Sequence, residues 1–572
     1  MTVESLITQH IDTWTSAVKT KSTSGRGNSK KLDLYGVKKL RELILELAVR
    51  GKLVPQDPND EPASVLLERI AAKKAQLVKD KKIKNPKALS QICDDKPFPI
   101  PNSWIWSQLG FLTNYGVCDK AEPKDVATST WVLELEDVEK STSKLLKKVN
   151  FEGRAFKSSK NRFLKNDVIY GKLRPYLDKV LVADEDGVCT TEMIPIRGYN
   201  EDIVSEFLRL VLKTPYFIQY ANSSTHGMNL PRMGTEKARD ALIPLVPINE
   251  QHRIVAKVDE LMSLCDKLEQ QTEASIEAHQ LLVSTLLNTL TNSADADELM
   301  ENWVRISDYF DTLFTTEESI DQLKQTILQL AVMGKLVPQD PNDEPASVLL
   351  ERIAEEKAKL IKEKVYQKSS KLKPMNKGVY YPNGWVSVQT GQVCPSIVPN
   401  RDRPKSFTGN IPWVTLPSFP KQSFYLDNNQ VEFSLTSSEV EKYSARLIPE
   451  KSVLMSCVGR FGLTAINLTP VTSNQQVHAF IVLNGLLPEY LSMVIKVEGK
   501  LLENVATSTT IAYLNKTNCE SIQFGLPPTN EQHLIIEKVK ELFVFCDQLK
   551  ARLKESQTIQ LHLTDAIVKQ IV

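Results

Sequence analysis

The sequence predicts an α+β protein with an internal pseudo-two-fold repeat: two mixed α/β domains separated by long shared helices that form an antiparallel coiled coil. Three observations carry this expectation. Gly51 to Ala71 recurs letter for letter from Gly334 to Ala354, twenty-one identities at an offset of 283. Ile254, Val258, Leu261, Cys265 and Leu268 follow a 4-3-4-3 spacing that Ile535, Val539, Leu542, Cys546 and Leu549 repeat, which is a heptad seam. Between these shared blocks lie stretches that scarcely align, with short β-branched and aromatic runs broken by Gly, Pro and Asn.

The boundaries follow from these anchors. We expect an N-terminal helical extension and basic linker over 1–38, a first helical repeat over 39–98, a first variable domain over 99–247 and a long helix over 248–292. A linker and second helical repeat then occupy 293–379, a second variable domain 380–528 and a final long helix 529–572.

Residues 3 to 18 read as one short amphipathic helix, and Lys19 to Lys31 as a solvated Ser/Gly/Lys hinge. Ile11-Asp-Thr-Trp14 faintly echoes Phe310-Asp-Thr-Leu313. Leu40, Leu43, Ile44, Leu47 and Ala48 mark one face of a helix, and Gly51 follows where a left-handed cap suits glycine. Pro55, Pro58 and Pro62 hold the next stretch out of helix until a second helix carries Leu66, Leu67 and Ile70. In the variable domains, strands are expected at Asp167 to Tyr170, Lys179 to Val182, Ser452 to Met455 and Val477 to Val482. The long helices either pack on each other, holding the variable domains apart, or each packs on its own variable domain.

The net charge of +1 and the 41% hydrophobic composition are those of an ordinary soluble chain. The eight cysteines stand singly, so a cytoplasmic, reduced and metal-free protein is expected. No apolar run approaches the length of a membrane span.

Catalytic signatures are missing. The chain has no (Asp/Asn)-Pro-Pro-(Tyr/Phe) turn of the kind an adenine methyltransferase needs and no Gly-x-x-x-x-Gly-Lys-(Ser/Thr) phosphate loop. Asp57, Asp60 and Glu61, repeated as Asp340, Asp343 and Glu344, lack the lysine of a nuclease cluster and read as a solvated loop. His252 and His533 occupy matching places at the start of the long helices, which favours capping or partner contact over metal ligation. We expect no catalytic residue and no metal site.

The variable domains carry side chains suited to nucleic acid. Lys157 to Val180 holds seven basic residues against two acidic ones, interleaved with Asn161, Tyr170 and Tyr176. The second domain offers Arg401, Arg403, Arg446, Arg460 beside Gly459 and Gly462, Gln475, Gln476, His478 and a Thr507 to Thr510 tract. Arginine pairs with guanine and Asn or Gln with adenine in the major groove. The DNA-binding candidates are Lys160, Arg162, Lys172, Arg174, Tyr176, Arg401, Arg403, Arg460, Gln475 and Gln476.

Several shared boxes resemble the specificity subunits of type I restriction-modification enzymes. They are the Asn-Glu-Gln-His boxes at 249–252 and 530–533 opening long helices, the Pro-Asn-x-Trp boxes at 101–104 and 382–385 opening variable domains, and the duplicated Gly-Lys-Leu-Val-Pro-Gln. The N-terminal extension and central repeat look like the branch called type IB. The resemblance implies two target recognition domains, each reading half of a bipartite site on double-stranded DNA, with the helices setting the spacer. It implies docking of two modification (methyltransferase) subunits, with restriction (motor-nuclease) subunits joining to cut. The chain itself would bind no cofactor; S-adenosylmethionine, ATP and Mg are expected on the partner subunits. Gln56, Asp57, Gln339 and Asp340, on the duplicated loop, are the candidate partner-docking residues.

Two other classes compete. A coiled-coil scaffold with two protein-binding domains predicts no salt-dependent DNA affinity, and a self-contained DNA-modifying enzyme predicts methyl transfer or cleavage by the isolated chain.

Overall fold

The computed structural model describes all residues except 1–2, 22–30, 84–86, 93–94, 228, 295, 400–402, 422 and 503–512. The chain divides into two compact units, one of residues 1–275 with 556–572 and one of residues 276–555. Both division points fall inside long helices, Ile248–Asn292 and Thr529–Ile571. Each unit therefore owns the start of one long helix and the end of the other.

The heptad positions are where that arrangement is built. Ile254, Val258, Leu261 and Cys265 are fully buried in the first unit. In the second, Ile535, Val539 and Cys546 from the start of one helix share a single core with Val283, Leu287 and Leu290 from the end of the other. The same core takes in Phe480, Tyr490 and Phe524 of the variable domain, so the long helices share it with each other and with that domain, and both packings left open by the sequence contribute.

The duplicated frame folds as its spacing predicts. Helix Tyr35–Val49 buries Leu40, Leu43, Ile44, Leu47 and Ala48, and Gly51 follows at φ +68°. A Cβ there would lie 2.3 Å from Pro101 Cγ, and at Gly334 (φ +72°) 2.4 Å from Pro382 Cγ, so glycine is required by conformation and by space alike. The second helices, Ala63–Lys79 and Ala346–Lys362, each begin directly after a proline.

The lysine of the repeated Gly-Lys-Leu caps a long helix. Lys335 Nζ donates to the carbonyls of Thr291 (3.0 Å) and Ser293 (2.8 Å), where Ile248–Asn292 ends. In the other unit Lys52 Nζ donates to Val572 O at 3.0 Å, where Thr529–Ile571 ends. A cation at these unpaired carbonyls also opposes the negative end of the helix dipole.

The N-terminal extension departs from the single helix expected. It breaks at His10 into Val3–Gln9 and Ile11–Ser16, and the turn carries Trp14 into the core against Gly36, which has no side chain to obstruct it. Helices Ala296–Asp308 and Phe310–Leu313 repeat this bend and bury Leu313 and Phe314. The faint echo between 11–14 and 310–313 thus marks a matching element of each frame. The linker is also tied down at both ends, since Lys19–Lys21 pairs antiparallel with Lys31–Asp33.

Each variable domain is opened and closed by one antiparallel pair, Ile105–Gln108 with Leu242–Leu245 and Val386–Gln389 with Gln523–Leu526. Inside, the two share a topology that their sequences hide. A parallel pair sets Trp131 opposite Gly187 in the first and Trp413 opposite Thr472 in the second. An antiparallel trio follows: Val168–Gly171 lies between Val180–Val182 and Met193–Ile196, as Val453–Ser456 lies between Thr464–Ile466 and Val477–Phe480. All four expected strands are present.

Replacing Lys335 by Met removes two helix-end hydrogen bonds while keeping the aliphatic stem. The expected loss is about 1 kcal/mol of unfolding free energy, read from chemical denaturation of the full chain.

Candidate nucleic-acid interface

The repeated Asn-Glu-Gln-His box is the joint between frame and variable domain. Trp104 Nε1 donates to Glu250 Oε2 at 2.8 Å, and Trp385 Nε1 to Glu531 Oε2 at 2.8 Å. The other oxygen of each carboxylate accepts from the repeated loop, Gln56 Nε2 in one unit and Gln339 Nε2 (3.0 Å) in the other. The glutamine of the box bonds its own helix start and the variable domain: Gln251 accepts from Val204 N at 2.9 Å, as Gln532 does from Leu487 N at 2.8 Å. Asn249 and Asn530 reach Asp60 and Asp343. The box histidines, His252 and His533, lie exposed.

These bonds bear on the expected docking residues. The amides of Gln56 and Gln339 are already bonded inside the frame, which the repeat alone did not reveal. Asp57 and Asp340 remain exposed, each accepting from an asparagine N–H two residues on, Asn59 and Asn342, at 2.9 Å.

At the far end of the central trio, each variable domain brings three separate backbone segments together. In the first, Lys172 N donates to Glu192 O at 3.0 Å, Met233 N donates to Lys172 O at 3.0 Å, and Leu173 bridges Arg232. In the second, Cys457 N donates to Gln476 O at 2.9 Å, Leu514 N donates to Cys457 O at 2.9 Å, and Val458 bridges Tyr513. These bonds and bridges match, yet the side chains differ: Lys172, Glu192 and Arg232 stand where the second domain has the buried Cys457, then Gln476 and Tyr513.

The loop that leaves each junction holds strong sequence candidates. Arg174 is exposed in the left-handed region (φ +51°), its N–H held by Pro231 O at 2.7 Å, and Tyr176 beside it is 52% exposed. A non-glycine residue held at positive φ stores backbone strain, a condition that clusters at ligand-binding loops. Arg460 is exposed between Gly459 (φ +76°) and Gly462 (φ +79°). A Cβ on Gly459 would touch nothing within 4 Å, so only the turn geometry calls for glycine there. Gln475 is exposed, and Gln476 is half-buried with Oε1 accepting from Asn474 Nδ2 at 3.2 Å.

Other candidates are placed elsewhere. Lys160 is buried on the four-stranded sheet, its ammonium paired with Glu134. Arg162 is exposed on the same strand and donates to Asp125 O at 2.8 Å. Arg403 is exposed and stacks over Phe433 (4.9 Å) and Phe407 (5.5 Å). Arg401 and Thr507 to Thr510 lie outside the described residues. Arg446 is engaged with Val398 O at 2.7 Å. His478 and Asn161 are core residues: burial lowers the His478 pKa to about 4, leaving it neutral, and Asn161 Nδ2 donates to Met193 O at 2.7 Å. The strand Val477–Phe480 is buried at all four positions and Lys160–Phe163 at all but Arg162, which residue type alone does not report.

Sequence reasoning missed Arg232, Glu192 and Tyr513. Arg232 Nε pairs with Glu192 Oε2 at 3.0 Å beside the Lys172 loop, and Tyr513 is 39% exposed. They reach the junction from about 20 to 60 residues away through sheet closure, so no local pattern flags them.

Among the described residues no His/Cys/Asp/Glu group could hold a metal ion. None of the described helices is long and apolar enough to cross a membrane.

The family description "Type I restriction modification DNA specificity domain" matches residues 137–278 and 382–557. The chain is 39% identical to the EcoAI type I restriction enzyme specificity subunit of Escherichia coli, covering 99% of each chain. It is also 39% identical to the EcoEI specificity subunit of Escherichia coli, again over 99% of each. A solved structure concerned with complex assembly and conformational transition of the type I R-M system contains a chain of similar fold. That chain has a TM-score of 0.52 at 19% identity, covering 83% of this chain and 99% of its own length.

Burial raises the Glu250 pKa, and the Trp104 and Gln56 bonds pull it part of the way back. A carboxyl whose folded pKa is raised contributes least to stability above that pKa and most below its unfolded value. Trp104→Phe removes one stabilising bond to the charged form. It should cost about 1.5–3 kcal/mol near neutral pH and measurably less in acid, read from denaturant unfolding at the two pH values; an equal cost at both would contradict this role for Glu250.

Proposed function

The chain belongs to the specificity subunits of type I restriction-modification systems and recognises DNA sequence, and from that premise we propose how the recognition is divided. Each variable domain is a target recognition domain that reads one half of a bipartite duplex site through its sheet-end junction and the loop beyond it. The observation that carries this reading is the pair of junctions that share two backbone hydrogen bonds and a bridge while their exposed and half-exposed side chains differ. A constant scaffold with variable tips is what two different half-sites require of one duplicated chain.

The chemistry suits division between affinity and readout. In the first domain Arg174 and Arg232 offer guanidinium groups to guanine edges, Tyr176 an aromatic face and Lys172 a phosphate contact. In the second, Arg460 serves guanine, and Gln475 and Gln476 suit the donor–acceptor pattern of adenine. Arg162 and Arg403 are placed to add phosphate contacts, which supply affinity and salt dependence without sequence information. Arg401 is proposed for the same role from its sequence context.

The frame takes the remaining tasks. We assign to it the docking of two modification subunits, with Asp57 and Asp340 as matched contacts, and to the long helices the length of the unread spacer. Methyl transfer and cleavage belong to the modification and restriction subunits, which would carry S-adenosylmethionine, ATP and Mg; this chain lacks the sequence motifs for them. A cytoplasmic location fits its unpaired cysteines.

Replacing residues 107–244 by the matching segment of a relative should change one half of the methylated site and leave the other intact, mapped by sequencing modified adenines in DNA treated with the reconstituted methyltransferase. Arg174→Ala should relax a single position of that half-site, at about 1–3 kcal/mol. A swap that alters both halves, or neither, would contradict the division.

A further inference from the structure

At one corner of the frame the two repeats part company, although the loop residues around it are identical. In the first unit Asp60 is gripped by Arg253, Nη2 to Oδ2 at 2.5 Å, and accepts from Asn249 at 3.3 Å. Arg69 next to it is held from two sides, by Glu61 (2.7 and 2.9 Å) and by Asp202 (2.7 and 3.1 Å). Lys73 follows one turn on along the same helix, so three bases accompany the three acids of this corner.

The second unit keeps the loop and loses the partners. Asp343 still accepts from Asn530 Nδ2 at 2.9 Å, but the residue matching Arg253 is Leu534, which is 49% exposed. Arg352 still pairs with Glu344 at 2.7 Å, but the residue matching Asp202 is Gly485, identified by the bond its carbonyl accepts from Gln532 Nε2 (3.1 Å) as Asp202 O does from Gln251 Nε2 (2.9 Å). Glu356 stands in the place of Lys73. What remains is a cavity of about 430 Å³ lined by Asp343, Arg352, Glu356, Gly485, Thr529 and Asn530, with Glu344 at its wall. Three carboxylates there face one guanidinium.

We propose that this cavity receives an arginine side chain of a partner polypeptide, its guanidinium meeting Asp343 as Arg253 meets Asp60. The first unit demonstrates that the loop carboxylate, in this same backbone setting, accepts a guanidinium fork. The surplus of two negative charges selects a cation, and Glu344 and Glu356 repel the carboxylate that Arg352 would otherwise attract. Gly485 brings no carboxylate to Arg352, so the second acid that holds Arg69 in the first corner has no counterpart here. The consequence goes beyond sequence reading: a partner that engages both frames alike finds one additional anchor on the second, and the assembly becomes asymmetric at a point where the chain itself is duplicated.

The test uses the full chain alone, so its outcome is independent of DNA recognition and of subunit assembly. N-acetyl-L-arginine amide is titrated and its binding followed by saturation-transfer NMR, with N-acetyl-L-glutamate amide as the anionic control. The arginine probe should bind saturably and the glutamate probe should not. Leu534→Arg fills the corner from within, as the first unit does, and Asp343→Asn removes the acceptor charge. Each should weaken binding at least tenfold while thermal melting stays that of a folded chain. Absence of saturable binding, equal binding by the wild type and both variants, or preference for the glutamate probe would each overturn the proposal.

Discussion

The buried carboxylate at the start of each long helix is the interaction on which the rest of the structure depends. Glu250 and Glu531 are 1% and 2% exposed. A charge so placed is costly unless its lone pairs are matched by donors. Trp104 and Gln56 match one, Trp385 and Gln339 the other, and these donors come from the residue just before the opening strand of the variable domain and from the repeated loop. One side chain thus welds three elements that are far apart in sequence. Losing any donor leaves a buried acceptor with an uncompensated charge, so the box, the tryptophan and the loop must be present together. Their repetition in both halves has this physical cause.

With the joint fixed, the variable domains are free to differ where it costs least. Their cores share the parallel pair and the antiparallel trio, extended by further strands on different edges, and the loops past the strand ends carry different side chains. Two of these loops also need positive φ: Arg174 is held there by a carbonyl from a distant segment, and Arg460 sits between two glycines that adopt it. A junction secured by backbone hydrogen bonds tolerates almost any side chain. That is why fold and specificity can be separated in this chain.

Much of the frame was legible in the sequence. The 3.6-residue spacing of Leu40 to Ala48, the glycine cap at Gly51 and the heptad seams report local preferences, and the structure follows them closely. The corner glutamates were not legible, because Asn-Glu-Gln-His reads as a helix start and nothing in it says that a tryptophan some 146 residues away supplies a donor. The recognition surface was legible only in part. Arg174, Tyr176, Arg460 and Gln475 stand next to turn signals and proved exposed, whereas Lys160 is buried against Glu134 and His478 lies in a strand buried at every position. Arg232, Glu192 and Tyr513 came to the surface through sheet closure, a non-local event. The vacated corner of the second frame could be seen only by laying one unit's bonds against the other's.

The central claim is that both variable domains touch DNA through the same two segments. Hydrogen exchange of the full chain, free and bound to a duplex selected for tight binding from a random pool, measures this directly. The account predicts slowed exchange at 172–176 and 190–192 together with 458–462 and 474–476, and unchanged exchange across the frame loops 51–62 and 334–345. Protection confined to one domain, or found on the frame loops in place of the strand-end segments, would contradict it.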